Sequence, residues 1–275
     1  VHDPLLTHDV FSDEGAANHC RLAPTHKDRG IQIFGHGKTS AMLSQRSVFF
    51  PARQSKLANL ALIQRHRLFP VYFLNIEQNA LAIDHGAFHN DVVSVTNENV
   101  LLCHEFSFYK QATRIEEIIE RYQKHFQQHL IVVEVSDDML PLKCAVKTYL
   151  FNSQLLTKPD STMLIFAPTE CQEDLAAKRA IDWILEQNNP INEVEFFNVS
   201  ESMANGGGPG CLRLRMVLTE HEITSLSANV LLTNDTISAL EEIVENYYPD
   251  YFDINYLFDR SFLDNNKTAL SRISD

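Results

Sequence analysis

A chain of 275 residues that is 44% apolar and 21% charged has the composition of a folded protein able to hold one large core or two small ones. Its formal net charge of −13, with no run of Lys or Arg, argues against nucleic acid and anionic membranes as partners. No apolar run is long enough to span a bilayer and no basic-then-apolar leader opens the chain, so a soluble protein of the cytoplasm is expected.

In chain order, Asp13-Glu14-Gly15-Ala16-Ala17-Asn18-His19 places two carboxylates before small residues that let a ligand come close, or else forms a helix start whose acids favour the dipole. The motif stands so near a first residue that is not Met that the chain reads as a piece of a longer protein. Leu22 to Ser47 reads as loop with one short strand at Ile31–Phe34. In Phe50-Pro51-Ala52-Arg53-Gln54 a lone Arg behind a proline is either a fork for a carboxylate or a solvated surface residue. In Asp84 to Val92, His85 and His89 have the spacing of a helical metal pair, but Gly86 and the strand that follows argue against a helix. His89 beside Asp91 suits a general acid and base instead, because an imidazole ordinarily titrates near pH ~6.5.

Periodicity then becomes regular. Val92–Thr96 alternates as a strand, Asn97-Glu98-Asn99 turns, and Val100–His104 returns as a hairpin partner. Ile115, Ile118, Ile119, Tyr122 and Phe126 form the buried stripe of a helix over Ala112–Gln128, followed by a strand over Leu130–Val135. The order repeats about 60 residues later with strands at Ser153–Thr157 and Met163–Ala167, a helix at Glu173–Gln187 and a strand at Val194–Val199. Recurrent strand–strand–helix–strand units point to a pseudo-symmetric α/β architecture rather than a doubly wound sheet, with an ordinary α+β fold as the alternative. No linker interrupts residues 1–275, so one domain is the simplest description.

Asn205-Gly206-Gly207-Gly208-Pro209-Gly210-Cys211 runs into Leu212–Leu218, which reads as a glycine loop delivering a thiol to the first residue of a strand. Glycines allow positive φ and close approach to a ligand; the same segment also reads as a loop ending in a buried cysteine. Cys20, Cys103, Cys144, Cys171 and Cys211 are odd in number and form no C-x-x-C pair, against a disulfide framework or a zinc cluster. Neither metal nor cofactor is expected. A helix over Thr236–Tyr247 capped by Asn234-Asp235 and a terminal helix from Leu263 complete the chain.

Together, Asp13 to His19, Pro51-Ala52-Arg53-Gln54, Gly86 to Val92 (GAFHNDV), Tyr149 to Leu156 (YLFNSQLL) and Glu201 to Leu218 (ESMANGGGPGCLRLRMVL) closely resemble the N-succinylarginine dihydrolases of the guanidine-modifying pentein superfamily. The resemblance implies a pentein-type α/β propeller, here incomplete because an N-terminal portion is absent. It also implies Cys211 as nucleophile, His89 as acid and base, Glu14 as acidic partner, and Arg53, Asp91 and Asn205 as substrate contacts. The implied substrate is N2-succinyl-L-arginine, and the implied assembly a homodimer. Another pentein, such as an arginine deiminase or an amidinotransferase, and a non-catalytic substrate-binding remnant are the competing readings.

Overall fold

Three times along the chain an antiparallel hairpin is followed by a helix and a third strand that lies parallel to the second. The first unit comprises β1 (His19–Leu22), β2 (Ile31–His36), α1 (Lys56–Arg65) and β3 (Phe73–Glu77), registered through Leu22↔Ile31 and Ile33↔Leu74. A short helix α2 (Ala80–Asp84) leads to β4 (Ser94–Asn97), β5 (Val100–His104), α3 (Gln111–Phe126) and β6 (Ile131–Val135), registered through Asn97↔Val100 and Leu102↔Val133. After α4 (Leu142–Thr148) the third unit holds β7 (Gln154–Thr157), β8 (Met163–Pro168), α5 (Thr169–Glu173), α6 (Leu175–Glu186) and β9 (Ile191–Phe197). A single turn, α7 (Ser200–Ala204), follows.

This computed structural model describes residues 3–11, 16–38, 46–204, 207–212, 218–226 and 232–274, giving only the backbone of Cys211 and Leu212. The chain divides into two compact units, Val1–Arg215 and Met216–Asp275.

In the first unit, the sheets are joined by shared cores. β5 is buried on both faces. Leu101 and Cys103 face a core with Ile31, Ile33, Leu74, Ile76, Ile118 and Tyr122, whereas Val100 and Leu102 face another with Leu155, Ile165, Ala180 and Ile184. Period-2 alternation on a strand sends successive side chains to opposite faces, so one strand serves both neighbours. The first strands are also linked: Arg21 N donates to Thr96 Oγ1 at 3.3 Å, and Asn97 Nδ2 donates to Thr157 Oγ1 at 2.6 Å. These are three separate three-stranded sheets, and a closed propeller is not shown.

Several expectations need correction. The recurrence is threefold: the short strand expected at Ile31–Phe34 is present as β2, and it is the second strand of a further unit that was not expected. The helix expected at Glu173–Gln187 is present as α6, which starts two residues later because Asp174 caps it by accepting from Ala176 N at 2.9 Å and Ala177 N at 3.1 Å; the separate turn α5 before it was not expected.

In the second unit, α8 (Glu220–Thr224) starts at a reciprocal capping box, in which Glu222 accepts from Thr219 N at 2.7 Å and Thr219 Oγ1 accepts from Glu222 N at 3.3 Å. Helix α9 (Asn234–Tyr247) is capped by Thr233, not by Asn234-Asp235, with Thr236 N donating to Thr233 Oγ1 at 3.2 Å. Helix α10 (Arg260–Ser274) places Phe262 5.5 Å from the Tyr256 ring.

Candidate active site

The turn that carries His89 is built by asparagines, of which Asn18 and Asn90 are buried. Asn79 caps α2 through Leu81 N at 3.0 Å, and Gly86, with φ +104, ends it, so His85 and His89 do not share a helical face. His89 then opens a 3-10 turn over Asn90–Val92. Asn90, 1% exposed, donates its N–H to Asn18 Oδ1 at 2.9 Å and accepts from Ser94 Oγ at 2.5 Å through its own Oδ1. These bonds hold residues 90–92 in a turn, which is why the strand expected from Val92 begins at Ser94. They also bring the end of the Asp13–His19 motif against the histidine turn.

Arg53 reaches the same place from another loop. Its guanidinium carbon lies 5.7 Å from the centre of the Phe88 ring, and that ring meets the His89 ring edge-on with centroids 5.2 Å apart. The approach to Arg53 is fixed by Asp84, whose carboxylate accepts the backbone N–H groups of Val48 at 2.9 Å, Phe49 at 2.7 Å and Phe50 at 3.1 Å. Desolvation would raise the Asp84 carboxyl, but these donors outweigh it and hold the group below its ordinary value. Asp91 is 6% exposed.

The glycine loop arrives from the far side. Cys211 lies in a 3-10 turn, Pro209–Leu212, and not on the first residue of a strand; residues 213–217, where the strand was expected, lie outside the described residues. The positive φ expected of these glycines is not found at Gly207, Gly208 or Gly210. Among the described residues the only glycine with positive φ is Gly86. Gly208 and Gly210 instead leave room for buried side chains: a Cβ on Gly208 would sit 2.4 Å from Asn152 Oδ1 and 2.7 Å from the Tyr149 ring, and one on Gly210 would sit 2.6 Å from Asn152 Nδ2. Asn152 Oδ1 accepts the Gly210 N–H at 2.6 Å, while its Nδ2 donates to the Asp91 carbonyl at 3.3 Å.

The structure thus gathers Arg53, His89, Asp91 and the backbone turn of Cys211. Glu14, Asn205 and the Cys211 side chain lie outside the described residues. Asn18, Asn90 and Asn152 all fall within motifs singled out in the sequence, but no role was assigned to them there. Their one signal in the sequence was their place inside those motifs.

A model of the family described as succinylarginine dihydrolase matches residues 1–275. The chain belongs to that family. Relatives include N-succinylarginine dihydrolases of Legionella pneumophila, 41% identical over 268 residues, and of Shewanella oneidensis, 37% identical over 274 residues. A third, from Idiomarina loihiensis, is 39% identical over 276 residues. These matches cover 95%, 99% and 99% of this chain and 59%, 61% and 61% of the respective relatives, so the chain spans about three-fifths of their length. The expectation that an N-terminal portion is missing is not borne out by these extents, which run over nearly the whole of this chain.

The thiols other than Cys211 differ in exposure. Cys103 and Cys171 are fully buried, Cys20 is 8% exposed and Cys144 is half-buried. Burial pushes the Cys171 thiol up to about 12, although it donates to Thr148 O at 3.2 Å; burial also raises Cys103. Such thiols are poor nucleophiles. Among the described residues no group of three or more His, Cys, Asp or Glu is placed to hold a metal, and no helix is long and apolar enough to cross a membrane.

Proposed function

We propose that this chain carries the cysteine chemistry of a dihydrolase acting on the guanidinium of N2-succinyl-L-arginine. The observation that supports it most is the meeting of the His89–Asp91 turn with the Gly210–Cys211 turn across one side chain, Asn152, in a family whose curated relatives bear that name. A guanidinium is a resonance-stabilised cation, so its carbon is a poor electrophile in water. Glu14 and Asp91 anchor its nitrogens by charge-assisted hydrogen bonds, Arg53 forks onto the succinyl carboxylate, and Asn205 bonds the substrate amide or a carboxylate.

Cys211 thiolate adds to the guanidinium carbon, and His89 gives a proton to the departing nitrogen, which leaves as ammonia. His89 next takes a proton from water as the oxygen attacks the thiouronium adduct; the C–S bond breaks and a ureido compound forms. A second cycle on that compound expels the second ammonia and leaves a carbamate. The carbamate loses carbon dioxide to give N2-succinylornithine, so two waters are consumed per substrate. No cofactor enters these steps.

The three successive units support a pentein-type propeller, and we take residues 1–275 as part of one such catalytic domain, from a cytoplasmic homodimer. Ammonia counted per succinylarginine consumed tests the function. Two per substrate is the expected result, one would make the protein a deiminase, and none would leave a binding remnant. Cys211→Ser should abolish release while circular dichroism stays unchanged; full turnover by that variant removes Cys211 from the reaction.

A further inference from the structure

We infer that Asn152 is the positioning residue that sets the nucleophile's turn against the histidine's turn. The inference rests on the reading of Cys211 and His89 as partners, and extends it to a residue whose amide bonds the backbones beside them.

Three observations carry it. Asn152 is 1% exposed, and both ends of its amide are used across the site: Oδ1 takes the N–H of Gly210, the residue before Cys211, and Nδ2 gives to the carbonyl of Asp91, two residues after His89. A backbone N–H needs an acceptor and a carbonyl needs a donor, so the two partners fix which way the amide points. Second, its own backbone is anchored. It ends the Leu150–Asn152 turn, its N–H donates to Tyr149 O at 2.9 Å, Tyr149 is held at φ 55, and Leu150 and Phe151 are 0% exposed. Third, Gly208 and Gly210 leave no spare space about the amide, since a methyl on either would collide with it. A carboxylate of the same shape lacks the donor for Asp91, and an aliphatic side chain lacks both functions. Asn152 is therefore a rigid two-sided spacer, and catalytic rates are sensitive to such spacing because a shift of about 1 Å in a reacting group can cost about 100-fold.

The test compares the 275-residue chain with Asn152→Ala and Asn152→Asp, the second being the same size and keeping the Gly210 bond. Iodoacetamide labelling of each cysteine is followed by peptide mass spectrometry from pH 5.5 to 9.5, alongside kcat and KM for succinylarginine. In the unaltered chain the Cys211 labelling midpoint should lie below the ~8.5 of a free thiol. In Asn152→Ala it should rise toward that value, with labelling at pH 7 falling about tenfold and kcat about 100-fold while KM changes less than about threefold. Asn152→Asp should fall between. Buried Cys103 and Cys171 should stay unlabelled throughout, reporting an intact fold.

Two results would overturn the inference: a Cys211 profile and kcat unchanged in folded variants, or a loss that merely tracks exposure of Cys103 and Cys171. If the unaltered chain releases no ammonia yet the labelling midpoint moves with Asn152, the positioning role stands and the dihydrolase reading falls.

Discussion

Mild acid should weaken this fold through His36. The residue ends β2, is 3% exposed, and its Nδ1 has no hydrogen-bond partner among the described residues. Burial, followed by the positive charges of Lys56 and Arg114, lowers its pKa to about 4 from an ordinary 6.5. The ring is therefore neutral in the folded protein where the unfolded chain already binds a proton. Stability is greatest above pH 6.5 and drains away as the pH falls toward 4, where the folded state also protonates and the slope flattens. At 1.36 kcal/mol per pKa unit the loss amounts to about 3 kcal/mol by pH 4, a large share of a typical folding free energy. His104 is also lowered by burial and acts in the same direction, so the experiment must be a difference. Urea unfolding of the unaltered chain and of His36→Phe at pH 7, 5.5 and 4 supplies it. The variant should lose about 3 kcal/mol less across that range, and parallel losses in the two proteins would refute the argument.

Three further outcomes follow from particular contacts. Tyr122 buries a hydroxyl that has no hydrogen-bond partner among the described residues, and burial pushes its pKa up to about 12; Tyr122→Phe should leave stability unchanged or raise it by up to about 1 kcal/mol in thermal unfolding. Asp84→Asn removes the charge that gathers three N–H groups below Arg53, so KM for succinylarginine should rise while Cys211 labelling does not change. The Asp84 carboxylate acts above its unfolded pKa and is lost only as pH falls through its lowered folded value, so the anchoring should persist well into mild acid. Arg53→Ala should raise KM far more than it changes melting temperature; unaltered kinetics would return Arg53 to the solvated surface.

How far the fold was legible depended on whether polar residues interrupt the buried pattern. β5 was read from end to end, and α3 to within two residues, because their buried positions are apolar at the right period. Of the first strand–strand–helix–strand unit only β2 was read, because β1 has four residues and α1 buries Asn59 among Ala58 and Ile63 while exposing Leu57 and Leu60. Asn59 earns no place in an apolar pattern; it satisfies Gly35 O at 3.0 Å and Asn75 Oδ1 at 2.9 Å and accepts from Gln54 Nε2 at 2.7 Å. At the site, the motifs were legible by resemblance, but the work of Asn18, Asn90 and Asn152 was not. The bonds by which they join separate segments span 58 to 72 positions, and no local period can point to them.

β5 is a party wall, with apolar rooms on either side of it. A cut between neighbouring units would open a face that has no water-compatible side, and deleting one unit would expose the next. Melting within the first 215 residues should accordingly pass through few partly built forms, since no sheet there owns a complete interior of its own. Shortening this protein at a unit boundary, a natural choice for repeats of this kind, is therefore the manipulation it is least equipped to survive.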